Sequence, residues 1–222
     1  MRGLDLINVK TGEMRNTVND WNLIMSGKAI GTPEPRIVKV DMEDRDGDLD
    51  LTEVIRGRVS YKNRPLSFSF ICTDHQSTWA DLKDDFIGFI HGTLLKIVDP
   101  DTPEHYYLAR CTVKEPTYKG AAIMFLEFTA DAYPYRLSLT ETVVKKSVRA
   151  GDAVSLVNSN MPVVPTITVD ADITIAFGNV SAALASGGMY VIPELTLEQG
   201  VNTINITGGS GEITITYRQG AK

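Results

Sequence analysis

Residues 64–72, RPLSFSFIC, alternate between apolar and polar positions: Leu66, Phe68 and Phe70 fall on one side, Ser67 and Ser69 on the other. A period of two marks a strand with one buried face. The period then changes. In DHQSTWADLKDDFIGFIHG, Trp79, Leu82, Phe86, Ile87 and Ile90 recur at helical spacing, with Asp81, Lys83, Asp84 and Asp85 on the opposite side. This predicts one amphipathic α-helix, with Ser77 or Asp74 as its N-terminal cap and Gly92 as its stop. Three strands follow in quick succession, TLLKIVD, YYLARCTVKE and AAIMFLEFTA, joined by turns at PDTPEH and PTYKG. The pattern describes an antiparallel β meander carrying one helix.

Beyond this point the chain reads as strands throughout: AVSLVN, PTITVD, ITIAFG, MYVIPELTLE, NTINITG and EITITYRQ. NSNMP, SGG, EQG and GGSG supply turn signals between them, and a small antiparallel β-sandwich is the natural closure. The expected fold class is therefore mostly β, all-β with one helix. Pro134 punctuates a strand end within DAYPYRLSLTETV, and the next segment is polar. This places two domains at residues 1–138 and 139–222.

Composition sharpens that division. Both tryptophans (Trp21, Trp79) and all three histidines (His75, His91, His105) precede residue 106, and after Gly151 only Arg218 and Lys222 are basic. A chain of 222 residues with 43% hydrophobic and 23% charged residues is globular, not disordered. A net charge of −6, with no basic cluster beyond Lys145, Lys146 and Arg149, argues against a nucleic-acid surface. MRGLDLINVKTGEM lacks the apolar core of a signal peptide, and no apolar run approaches the roughly 18 residues of a membrane span. Synthesis and folding in a cytoplasm, without membrane insertion, are expected. Cys72 and Cys111 sit in strand-like apolar runs and read as buried free thiols, a single bridge being the alternative.

The candidate chemistry centres on EDRDGDLDLTEV. Between Asp41 and Asp50 six of ten positions are acids. A calcium loop with Gly47 at its sixth position would place Asp44 third, Asp46 fifth and Glu53 twelfth, but Met42 then stands where a carboxylate is required. RIVKVDM before it also reads as a strand instead of an entering helix. Acids on a polar loop stay solvated, which does not suit the raised-pKa acid of a glycosidase. A tight turn at Asp46-Gly47-Asp48, with LDLTEV leading on to the next strand, accounts for the composition. No GxSxG, HExxH, P-loop or GxGxxG occurs, the histidines lack metal-ligand spacing, and GGSG at 208–211 reads as a hairpin turn. Catalytic, cofactor-binding and metal residues are thus all expected to be none, and the chain is expected not to be an enzyme. Sugar binding by the second half would need exposed aromatics, and it offers only Phe177, Tyr190 and Tyr217.

Taken in order, RDGDLDLTE (45–53), the strand YKNRPLSFSF (61–70), the Trp79 helix, the meander and the closing Pro134-Tyr135 resemble the distal tail protein family of long-tailed bacteriophages and prophages. LEQGVNTINITGGSGEITITYRQG resembles that family's C-terminal sandwich, described as galectin-like. The resemblance implies a structural component of the phage tail tip or baseplate, located in the virion. It would form a homohexameric ring between the tail tube protein and the tail-tip hub and receptor-binding apparatus. N-terminal domains would make the ring, without sequence-specific nucleic-acid binding. The second half is too short for the long arm or carbohydrate-binding insertion that family members often carry. Acids lining a central channel would repel DNA phosphates, whereas a solvated loop on the rim would do nothing of the kind. A carbohydrate-binding or adhesin-like β-protein is the competing reading, and a hydrolase using the acids of 41–50 is a third.

Overall fold

The computed structural model describes residues 3–43, 46–54 and 57–222. Its chain divides into a first unit ending at Arg136 and a second over Leu137–Lys222.

The first unit contains β1 (Asp5–Asn8), β2 (Met14–Asn16), β3 (Ile24–Ile30), β4 (Lys39–Val40), β5 (Leu49–Asp50) and β6 (Arg64–Cys72). Helix α1 (Trp79–Ile90) then precedes β7 (Leu94–Val98), β8 (His105–Val113), β9 (Thr117–Lys119) and β10 (Ile123–Ala132). The main sheet runs β2-β1-β7-β8-β10-β6-β3, with every described pairing antiparallel and β9 folded back on β10. PTYKG, expected as a turn, thus contains a short strand whose Tyr118 stacks on Trp79.

Alternation in β6 is as the sequence predicts: Leu66, Phe68 and Phe70 are buried, Ser67 and Ser69 only half-buried. Register puts Phe68 opposite Phe128 of β10 and Phe70 opposite Leu126. Helix α1 closes this face. Phe86 meets Phe70, Phe128 and Trp21 at ring-centroid distances of 6.3, 6.4 and 5.3 Å. Each fully buried phenylalanine contributes about 1.5–3 kcal/mol of apolar transfer, so these rings dominate the core. The helix face includes Phe89, which the sequence pattern passed over, and Leu82 and Ile87 are only partly buried.

The helix start differs from expectation. Neither Ser77 nor Asp74 caps α1. Thr78 occupies the N-cap without a side-chain hydrogen bond, and a 3-10 turn over Gln76–Thr78 precedes it. His75 caps that turn, its Nδ1 accepting from Ser77 N, while the Asp74 carbonyl accepts from Trp79 Nε1 at 3.0 Å. Gly92, with φ +74°, follows the last turn as a left-handed stop.

One polar contact ties distant strands together. Lys28 of β3 donates to both carboxylate oxygens of Asp99 at 3.0 and 2.8 Å and also pairs with Asp101. The Asp99 side chain is only 2% exposed. Burial by itself would push the Lys28 ammonium down, but hydrogen bonds to Asp101 and Asp99 outweigh it and hold its pKa above the ordinary lysine range. A cation whose pKa rises on folding stabilises the fold below its unfolded pKa and loses that contribution as pH climbs through the folded value. Lys28→Ala, leaving a buried carboxylate without its cation, is expected to cost about 2–3 kcal/mol at pH 7, discounted for the partial exposure of the lysine. Urea titrations at neutral and strongly alkaline pH check this: the gap between wild type and variant should narrow at alkaline pH, and an unchanged gap refutes the assignment.

The second unit contains β11 (Arg136–Ser138, its first residue belonging to the preceding unit), β12 (Thr142–Arg149), β13 (Ala153–Asn158), β14 (Thr166–Val169) and β15 (Ile173–Phe177). It continues with β16 (Val180–Leu184), β17 (Met189–Val191), β18 (Gly200–Tyr217) and β19 (Gly220–Ala221). The two runs NTINITG and EITITYRQ are one 18-residue strand, and GGSG is not a hairpin turn. Residues 200–209 of β18 pair with β13 and β15, and residues 210–217 pair with β12 and β14. Its buried positions shift phase on the way: Ile204 and Ile206 are even, Ile213, Ile215 and Tyr217 odd. Gly209 sits at that shift with φ +79°, and a Cβ there would lie 2.0 Å from the Asp172 carbonyl oxygen. Only glycine can take both the conformation and the approach. MYVIPELTLE forms a strand only at Met189–Val191, although Leu195 and Leu197 beyond it are buried. The sequence pattern missed β12 and β16 altogether.

The architecture is therefore mostly β, antiparallel throughout the described pairings, with one α-helix.

Candidate functional site: an exposed hairpin arm

Between β3 and β6 the chain leaves the sheet and returns. Backbone bonds rivet the two legs: Lys62 N donates to Glu34 O, Arg36 N to Ser60 O (both 2.8 Å), and Pro35 bridges Tyr61. Further out, Leu51 N donates to Val38 O at 2.8 Å, and β4 pairs with β5 through Lys39 opposite Asp50 and Val40 opposite Leu49. Gly47, at φ +78°, lies in the bend beyond. RIVKVDM, read as a strand, pairs only over Lys39–Val40, and LDLTEV, read as leading on to the next strand, itself contributes Leu49–Asp50 to that pairing.

The acidic run lies on this arm. Asp41, Glu43, Asp46, Asp48, Asp50 and Glu53 are all exposed, and Asp44 falls outside the described residues. They do not converge: among the described residues no group of three or more His, Cys, Asp or Glu side chains could hold a metal ion. Asp48 approaches Lys39 at 3.9 Å. Asp50 accepts from the Thr52 backbone N–H at 2.9 Å, and hydrogen bonding to the Thr52 hydroxyl, then to its N–H, pushes the carboxyl pKa below the ordinary range. A depressed pKa is the reverse of what a general acid needs.

What the sequence pattern did not show is that the arm's apolar residues are also exposed. Ile37 is 59% exposed and Val54 71%, with Val38, Val40 and Met42 alongside. Arg36, Val38, Leu51, Thr52, Val54, Arg58, Ser60 and Tyr61 line a concavity along the same arm. Exposed aliphatic side chains gathered on one element are a kind of surface suited to contact with another chain. The signal available in the sequence, aliphatic residues flanking an acidic turn, is also that of an ordinary half-buried hairpin.

The remaining candidates are placed in structural roles. His91 Nδ1 accepts from Val113 N at 3.2 Å, and His105 opens β8 instead of lying in a turn. Cys72 and Cys111 are free and buried, and burial pushes the Cys111 thiol up to about 12, which removes thiolate nucleophilicity. Phe177 and Tyr190 pack against the second core, and the buried Tyr217 donates its hydroxyl to Val157 O at 2.7 Å. None of the three stands out as a stacking platform for sugar. Among the described residues no helix is long and apolar enough to cross a membrane.

Fold and arm define a class: a mostly β chain of two units, with one α-helix and an exposed two-stranded arm. No protein-family profile matches the chain, and no curated protein matches it in sequence. A solved structure does match in fold. The SPP1 Dit protein (gp 19.1), described as a paradigm of the hub of the adsorption apparatus in phages infecting Gram-positive bacteria, superposes with a TM-score of 0.64. The match has 12% sequence identity and covers 97% of this chain and 98% of that one.

Proposed function

We propose that this chain is a structural, non-enzymatic component of a bacteriophage tail tip, with residues 1–138 building a homohexameric ring and residues 139–222 forming a galectin-like sandwich. The ring joins the tail tube to the tail-tip hub and receptor-binding apparatus, and the protein belongs to the virion. The observation that carries this reading is the likeness to the SPP1 Dit protein over nearly the full length of both chains. The exposed aliphatic arm supports it, since a closed ring pairs a patch on each protomer with a different patch on the next one.

Light scattering and negative-stain imaging of the purified protein test it. Six copies of a 24.4 kDa chain give about 146 kDa, and a closed six-fold annulus is the expected image. Ile37→Asp with Val54→Asp is expected to leave folded protein, because both sites are exposed, while shifting the population to monomers. Rings that persist in this variant remove the arm from the interface.

A further inference from the structure

The concavity along the arm carries cations and no anion. Val38, Leu51 and Val54 give it an aliphatic lining, Arg36 and Arg58 line it beside them, and no carboxylate does. It offers about 620 Å³, within the size range of binding pockets. Arg36 is exposed, and its Nε donates only to the Tyr61 carbonyl, at 3.4 Å. Among the described residues Arg36 forms no ion pair with a carboxylate. A guanidinium set among aliphatic groups selects a partner with two features: a carboxylate that matches its planar fork, and apolar side chains that cover the surface around it.

The same chain presents such a partner further out on the arm. In Val40-Asp41-Met42-Glu43 apolar and acidic side chains alternate. Val40 is 42% and Met42 43% exposed, and both acids are exposed. Among the described residues neither Asp41 nor Glu43 has an ion pair, whereas Asp48 lies near Lys39. None of the four residues lines the concavity of its own arm.

We infer that the concavity is a docking site for the Val40-Asp41-Met42-Glu43 segment of a second copy of this chain. Charge complementarity carries the choice of occupant: the acids meet Arg36, and Val40 and Met42 cover the aliphatic lining. Concavity and segment are different patches on one chain, so each contact leaves one of each free and association runs head to tail from copy to copy. The inference rests on the ring reading and names the two surfaces that join neighbours in it.

Two charge reversals test it. One variant carries Arg36→Glu, and the other carries Asp41→Lys with Glu43→Lys; all three sites are exposed, and circular dichroism checks that both variants fold. Each alone sets like charges face to face and is expected to associate about tenfold or more weakly than wild type by light scattering. Mixed in equal amounts, the two are expected to associate again, because every contact between unlike copies sets opposite charges together and alternating copies close a ring of six. If wild type forms rings and either variant alone forms them equally well, the inference fails while the ring reading stands. If both variants fail alone and their mixture associates no better, the two patches do not recognise each other and the inference fails. A wild type that stays monomeric at every concentration also overturns it, and imaging of assembled tails then judges the ring separately.

Discussion

Phe128→Ala is expected to destabilise the first unit by about 3–5 kcal/mol, the range for truncating a buried aromatic ring to a methyl group. Phe128 sits where sheet and helix meet. Its ring centroid lies 5.2 Å from Phe68, 6.0 Å from Phe70 and 6.4 Å from Phe86, and all four rings are fully buried. Removing the ring leaves a cavity walled by two strands and a helix, and register holds the strand walls apart. Urea unfolding followed by tryptophan fluorescence is the measurement. Trp21 and Trp79 both lie in this unit, and the second unit has no tryptophan, so the signal reports one core alone. A loss below about 1 kcal/mol would mean that the helix collapses into the space and that the cluster is not close-packed.

Gly209→Ala is expected to have the largest effect in the second unit, about 3 kcal/mol or more, because two penalties coincide. The residue has φ +79°, and the added methyl would meet the Asp172 carbonyl oxygen at 2.0 Å, a backbone atom that cannot swing aside. Gly208→Ala is the control. Its φ is not in the left-handed region, and its nearest neighbour is the Thr174 side chain, Oγ1 at 3.3 Å, which can move. Far-ultraviolet circular dichroism during thermal unfolding should separate the two substitutions clearly. Equal midpoints would show that β18 bends somewhere other than Gly209.

These two sites also show what was legible in the sequence. The Phe68–Phe128 core was, because β6 alternates strictly and α1 presents its apolar residues at helical spacing, so local pattern and tertiary burial agree. Gly209 was not legible for what it does. Glycine between two period-two runs signals a hairpin, and only the pairing partners reveal one strand passing from one set of neighbours to another. Strand β12 escaped because Lys145, Lys146, Ser147 and Arg149 are exposed, leaving too few apolar positions to show a period. The acidic cluster was located but not its setting: Ile37, Val38, Val40 and Met42 look like core residues until the structure shows them exposed.

Strand β18 has a consequence for how the protein is made. Strands β12 to β15 each pair with it, yet it spans residues 200–217, after all four have been synthesised. While the ribosome is still extending the chain, β12 and β13 wait without their strand partner, and β14 and β15, paired only with β17 and β16, each keep one edge open. The second unit therefore cannot mature gradually from its beginning; it snaps shut once its seam has emerged, whereas the first unit can already have folded. Nascent chains stalled before residue 200 should be sticky and protease-sensitive beyond residue 137, and those released after residue 217 should be neither.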